Sequence, residues 1–242
     1  MIRLQAPSIK EAVAYLYEES ETPPPTLRRC IPPLRKLVTG CSLLRVEMPE
    51  LTRQAAIQYL SRSAPTVEAF TDEDRVPLSG FLYASPKSGT IFVKSSEPVT
   101  RRRFTMAHEI GHYLLHLSPL FEYLVAHGKE SLIEIADYTL AEASEVDEEI
   151  ADSTGRATLT AEDESFRLLP PLETMELEAD RFATELLMPA ELVRDLAERH
   201  AGDLRDTDLV WRLASEMLVS TSAMSRRLSD LGLIEVAETL YH

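Results

Sequence analysis

Arg101-Arg-Arg-Phe104-Thr-Met-Ala-His108-Glu109-Ile-Gly-His112-Tyr-Leu-Leu-His116 is the stretch from which the rest of this chain is interpreted. On a helix, His108 and His112 lie about 40° apart around the axis, so both imidazoles can reach one metal ion. Glu109, between them, can then act on a water molecule bound to that ion. The spacing His-Glu-x-x-His is typical of zinc peptidases, but a short motif also occurs by chance. The flanking sequence therefore has to support it.

The flanking sequence predicts a buried helix around the motif. Pro98 and Thr100 indicate its start, Pro119 indicates its end, and apolar residues fall on most of its faces. Such a helix belongs in a hydrophobic core, where histidines and a carboxylate are costly unless a strong partner satisfies them. Two core histidines bonded to backbone carbonyls would not need Glu109 beside them. The pattern therefore favours one bound zinc ion per chain.

Length and composition indicate a globular protein with one sizeable core. The chain has 242 residues, of which 44% are hydrophobic. It contains no signal-peptide pattern and no apolar run long enough for a membrane span, so we expect a soluble, cytoplasmic protein without a membrane partner. Cys30 and Cys41 do not have metal-knuckle or disulfide-framework spacing.

The charge is strongly acidic and unevenly distributed. The formal net charge is −15, which disfavours direct binding to DNA and favours basic partners. Residues 118–170 hold thirteen acidic residues against only three basic ones. We interpret this segment as an acidic insertion that is partly helical near residues 119–140. The run from Glu142 to Glu164 has too few apolar residues to build a core.

The order of patterns predicts a mostly helical α+β fold. Residues 1–63 are interpreted as an N-terminal helical segment, with helices in the range 26–63. Residues 64–242 are interpreted as a metallopeptidase domain that contains the insertion 118–170 and a C-terminal helical subdomain at 190–242. Two β-branched and aromatic runs, from Gly80 and from Thr90, surround a Pro/Gly turn and predict a β-hairpin directly before the motif helix.

A second strong helix, between Pro171 and Pro189, can supply the third ligand of a two-histidine zinc site. Glu176 and Glu178 point about 200° apart on this helix, so only one can serve. Glu176 shares a face with apolar residues, whereas Glu178 lies on a mostly polar face. We therefore expect Glu176 to be the ligand and Asp180, one turn on, to orient a ligating histidine.

The C-terminal segment resembles a helix-turn-helix. Two helical runs, at 209–218 and 223–231, are joined through Val219-Ser-Thr-Ser222. Only Arg226 and Arg227 would serve as basic residues of a recognition helix, and Asp230 offsets them. A packing element that completes the core is the favoured interpretation.

Taken together, these motifs resemble the ImmA/IrrE family of metallopeptidases. The matching pieces are Arg103-Phe-Thr before the motif, Glu176-x-Glu-Ala-Asp180-x-Phe-Ala-x-x-Leu-Leu-Met-Pro189, and the tail from Val219 to Ile234. The resemblance implies a zincin-like core, His108 and His112 as ligands, Glu109 as the catalytic base and a carboxylate from the second helix. It also implies cytoplasmic cleavage of a helix-turn-helix transcriptional repressor, in a stress response or in mobile-element and phage control. The interval from His112 to Glu176 is longer than the family usually has.

The function we predict is zinc-dependent hydrolysis of a peptide bond in a basic helix-turn-helix repressor. An oxyanion donor is needed as well, and the sequence offers Tyr113, His116, His127 and His200. The alternative is a non-catalytic zinc-containing regulatory protein that binds a repressor or DNA. An intact Glu109 argues against it, because a structural zinc site has no use for a base.

Overall fold

The computed structural model describes residues 6–61, 72–85, 88–128, 137–138, 168–200 and 204–234. Helices predominate in these ranges, and the strands form one small sheet, which confirms the mostly helical α+β fold class. The elements in chain order are α1 (Ile9–Glu19), α2 (Leu34–Gly40), β1 (Leu43–Met48), α3 (Arg53–Leu60), β2 (Gly80–Ser85), β3 (Ser88–Lys94), α4 (Val99–His112), α5 (Ser118–Ala126), β4 (Asp137–Tyr138), α6 (Leu172–Leu187), α7 (Ala190–Arg199), α8 (Asp206–Met217) and α9 (Thr221–Asp230).

The sheet has the order β1-β3-β2-β4. β2 and β3 form the predicted antiparallel hairpin, and β4 pairs with the outer side of β2. β1 pairs in parallel with β3, which corrects the expectation of helices alone for residues 26–63. Only Leu43 of this strand is buried, although Leu44, Val46 and Met48 alternate with Arg45 and Glu47 in the pattern of a strand. This short alternation was the available signal for a strand, and only its pairing with the distant β3 was not predictable from it.

The motif helix α4 begins after Pro98, as predicted, and its residues from Thr105 to His112 are all buried. A π-helical turn, Tyr113–Leu117, then connects it to α5. The predicted end at Pro119 is wrong, because this proline lies in the first turn of α5 and the helical chain continues to Ala126. Proline is tolerated in a first turn, where a backbone N–H has no partner within the helix.

α4 and α6 cross closely at Gly111. A Cβ atom at this position would lie 3.2 Å from the Cα of Ala179 and 3.1 Å from Cδ1 of Phe182. Ala179, Phe182 and Ala183 are fully buried along the same face of α6. Because Gly111 has no side chain, the backbone of α6 lies close to α4 at this crossing. Glu176 of α6 therefore reaches the two histidines.

The N-terminal helices pack into the same core as the motif helix. Leu16 of α1 and Leu37 of α2 are fully buried in one hydrophobic cluster with residues of α4 and α6. A second, smaller cluster, which includes Phe81 and Phe92, lies between the sheet and α3. The division of the chain at residue 63 stays a prediction. The run from Glu142 to Glu164 lies outside the described residues.

α8 and α9 are the two predicted C-terminal helices. Ser220 caps α9 by accepting a hydrogen bond from the N–H of Ala223, 3.1 Å away. Arg227 forms an ion pair with Glu185 and donates from Nε to the carbonyl oxygen of Met188 at 3.0 Å. This arginine therefore holds α9 against the end of α6, which does not suit a contact with a DNA phosphate.

Among the helices in the described ranges, none combines the length and the apolar character needed to cross a lipid bilayer.

Candidate metal centre

Three side chains from α4 and α6 converge on one point. Nε2 of His108 and Nε2 of His112 are 2.8 Å apart. Oε2 of Glu176 lies 3.3 Å from Nε2 of His108, and Oε1 lies 3.7 Å from Nε2 of His112. One donor atom from each residue lies within 4.8 Å of the others, so the three residues could hold a metal ion.

The donor set fits zinc in both chemistry and spacing. Two imidazole nitrogens and one carboxylate are ligands of catalytic zinc sites, which keep a fourth position open. Ligand atoms at about 2.1 Å from a tetrahedral ion are about 3.4 Å apart, and the observed separations of 2.8, 3.3 and 3.7 Å bracket that value.

The centre is buried on its histidine side and open on its carboxylate side. The side chains of His108 and His112 are 3% and 0% exposed, whereas that of Glu176 is 37% exposed. Burial, reinforced by the charges that His108 and His116 can carry, holds the pKa of His112 well below its ordinary value. The ring is therefore neutral at physiological pH, which is the form that binds a metal.

His108 has a carboxylate partner on its other ring nitrogen. Nδ1 lies 2.9 Å from Oδ1 of Asp180, whose side chain is 55% exposed. With the proton on Nδ1, the ring donates to Asp180 and presents the lone pair of Nε2 to the metal position. This is the arrangement that was expected for Asp180, and its effect on binding stays a prediction.

Glu109 is fully buried and lies against the start of β2. A Cβ atom at Gly80 would lie 2.6 Å from Oε1 of Glu109 and 2.4 Å from Cγ2 of Thr105. The carboxylate therefore occupies space that any other residue at position 80 would fill. The sequence placed Gly80 in the predicted hairpin without a role at the motif, because only the packing of the sheet against α4 brings it to Glu109.

The comparison with known families agrees with this geometry. The peptidase M78 family, described as the IrrE N-terminal-like domain, matches residues 69–151 and 159–229, which is more than half of the chain. The chain belongs to the M78 family. This result confirms the resemblance to ImmA/IrrE proteins and supports a metallopeptidase-like function. A search of curated proteins found no match.

The M78 match begins before β2, includes α4 and α6, and ends within α9. Its two parts are separated at residues 152–158, within the acidic segment, and the length of the insertion stays a prediction. The elements α1, α2, β1 and α3 precede the matched region, although α1 and α2 share its hydrophobic core.

The four candidate oxyanion donors have different surroundings. His127 is exposed, with Nδ1 2.7 Å from the carbonyl oxygen of Tyr123, and His200 lies 3.3 Å from Glu216. Tyr113 is buried, and burial raises the pKa of its hydroxyl, with smaller contributions from Cys41, Tyr15 and Glu122. Tyr113 is therefore a neutral hydroxyl, and its assignment as the oxyanion donor stays a prediction.

His116 and Glu178 form a contact that the sequence analysis missed. Nε2 of His116 lies 3.1 Å from Oε2 of Glu178, and Nδ1 of His116 lies 3.1 Å from Nδ1 of His112. Glu178 was expected on a mostly solvated face, and its side chain is 39% exposed, but its carboxylate also contacts the buried ring of His116. Burial lowers the pKa of His116, while the hydrogen bond and charge of Glu178 oppose this shift. The i, i+4 spacing of His112 and His116 was the available signal.

Proposed function

We propose that this chain is a zinc-dependent endopeptidase. The observation that carries the proposal is the convergence of His108, His112 and Glu176 beside the buried Glu109, in a chain of a peptidase family. Two histidine nitrogens and one carboxylate suit one zinc ion per chain, and they leave its fourth coordination position for water. A purely structural site would gain nothing from a glutamate in the position of a base.

Each residue has a defined task in this proposal. When bound, zinc lowers the pKa of water and polarises the scissile carbonyl group. His108, His112 and Glu176 hold the ion, and Asp180 orients the ring of His108. Glu109 accepts a proton from the attacking water and passes it to the leaving amine nitrogen.

The proposed substrate is a helix-turn-helix transcriptional repressor. The DNA-binding surface of such a protein is basic, and a chain with a net charge of −15 attracts basic surfaces over long distances. The opening on the Glu176 side of the centre offers an approach for a peptide segment. Cleavage of a DNA-binding regulator implies that the chain acts in the cytoplasm, where such regulators bind DNA.

The proposal is tested by incubating the purified protein with zinc and a repressor encoded near its gene, followed by mass spectrometry of the products. We expect two fragments from one cleavage site, and we expect cleavage to stop with a chelator and to return with added zinc. Stable binding of the repressor without fragments would instead support the non-catalytic regulatory protein. Cleavage that persists after complete removal of metal would contradict the proposal.

A further inference from the structure

His112 has two ring nitrogens that face different partners. Nε2 faces the candidate metal centre, 2.8 Å from Nε2 of His108. Nδ1 faces away from it and lies 3.1 Å from Nδ1 of His116, whose Nε2 lies 3.1 Å from Oε2 of Glu178. His112 and His116 are 0% and 1% exposed. A line of hydrogen-bonding groups therefore runs from the metal position through two buried rings to a carboxylate that reaches solvent.

When Nε2 of His112 binds a metal, only one placement of the ring protons allows both hydrogen bonds, from His112 to His116 and from His116 to Glu178. A ligating nitrogen carries no proton, so the proton of neutral His112 is on Nδ1. That N–H can donate to Nδ1 of His116 only if this atom has a free lone pair, which places the proton of His116 on Nε2. The Nε2–H group then donates to the carboxylate of Glu178, which can only accept.

The surrounding helices explain how two nearby glutamates contact different histidines. Glu176 and Glu178 lie about 200° apart around the axis of α6, on opposite flanks of its buried stripe. Glu176 contacts the two nitrogens that face the metal position, and Glu178 contacts His116. His116 lies in the π-helical turn Tyr113–Leu117, a rare conformation that is frequent at functional sites.

We propose that His116 and Glu178 are positioning residues that hold His112 in the orientation and tautomer needed for metal binding. This inference rests on the proposed function, because it takes His108, His112 and Glu176 to be the zinc ligands. Among the described residues, the donor atoms that converge on the metal position are those of His108, His112 and Glu176, so His116 and Glu178 are not ligands in this proposal. Hydrogen-bond partners of this kind typically contribute ten- to a hundredfold to metal affinity, as an order of magnitude.

The two ligating histidines should differ in their sensitivity to loss of a partner. Asp180, the partner of His108, is 55% exposed, so water can replace its carboxylate. His116 is buried, so its removal leaves the Nδ1–H of His112 without an acceptor in a site shielded from solvent. We therefore expect His116→Phe to weaken zinc binding more than Asp180→Asn does.

The first test is a competition titration of zinc against a chelator. We expect His116→Phe to weaken zinc affinity by about ten- to a hundredfold and Glu178→Leu by about tenfold. The double variant should bind no more weakly than His116→Phe, because Glu178 acts through His116. Glu173→Leu, an exposed position in the first turn of α6, is the matched control and should bind like the parent. Unchanged affinity in His116→Phe, or independent losses that multiply in the double variant, would overturn the proposal.

The second test needs no substitution and therefore does not depend on the folding of a variant. Two-bond proton–nitrogen NMR spectra of the zinc-loaded protein distinguish the tautomers of its histidines. We expect the proton of His112 on Nδ1 and that of His116 on Nε2, and we expect Glu178→Leu to change the tautomer signature of His116. A His116 proton on Nδ1 in the parent would overturn the proposal that His116 positions His112. Failure of the parent to bind zinc would overturn both the positioning proposal and the proposed function. Zinc binding with the expected tautomers but without hydrolysis would overturn only the proposed peptidase activity.

Discussion

Gly80→Ala tests whether the sheet positions Glu109 for its proposed reaction. The new Cβ atom would lie 2.6 Å from Oε1 of Glu109 and 2.4 Å from Cγ2 of Thr105. Carbon atoms in contact are about 3.5–4.0 Å apart, so these neighbours have to move by about 1 Å. A misplacement of about 1 Å near a reacting centre can cost about a hundredfold in rate. We therefore expect kcat to fall about a hundredfold. Zinc affinity should stay unchanged, because the nearest atoms belong to Thr105 and Glu109 and not to a proposed ligand.

Gly89→Ala in the neighbouring strand is the matched control. Its Cβ atom would lie 2.6 Å from Cδ2 of Leu43 and 3.1 Å from the carbonyl oxygen of Tyr83, away from the motif. Both variants should lose about 1–3 kcal/mol of unfolding free energy through overpacking, but only Gly80→Ala should lose kcat. Denaturant unfolding and steady-state cleavage of the identified substrate measure the two effects. A Gly80→Ala protein with the parent's kcat, or equal losses of kcat in both variants, would refute this account.

Three further predictions concern helix packing, protonation and charge. Gly111→Val should push α6 away from α4, which costs about 1–3 kcal/mol of unfolding free energy and weakens zinc binding because Glu176 moves with α6; denaturant unfolding and a zinc titration measure both effects. The metal-free protein should lose stability as the pH falls below about 6.5, since the unfolded chain binds a proton at His112 that the folded state excludes. The loss is at most on the order of 1 kcal/mol per pH unit, and it is measured as the difference in unfolding free energy between the parent and His112→Gln. If the acidic segment attracts a basic repressor, neutralising Glu145, Asp147, Glu148 and Glu149 together should flatten the fall of cleavage efficiency with added salt; the same salt dependence as in the parent would make the segment a bystander.

The two helices that carry the centre were predictable because their signals are local. Proline marks the start of α4 and both boundaries of α6, and the apolar residues of α6 fall on one stripe that includes Met175, Ala179 and Phe182. Helical geometry then separates Glu176 from Glu178 without knowledge of the partner helix. The choice of Glu176 over Glu178 as the group near the histidines followed from this argument.

Most of the features that were missed depend on contacts between distant segments. β1 carries a short local alternation of Leu44, Val46 and Met48 with Arg45 and Glu47, but its pairing with the distant β3 is not visible in that pattern. The contact between His116 and Glu178 needs the crossing of α4 and α6. It also needs the π-helical turn, which no residue pattern predicts. Gly80 acquires its importance only when β2 lies against Glu109.

The central claim is that Glu109 performs chemistry at a metal that other residues hold. Its most direct test is Glu109→Gln, with zinc content and cleavage of the repressor measured on the same sample. We predict one zinc per chain, as in the parent, and cleavage reduced by at least about a hundredfold, the scale expected for loss of a positioned general base. Cleavage at the parent's rate in this variant would contradict the assignment of Glu109, and loss of zinc would contradict the separation of base and ligands.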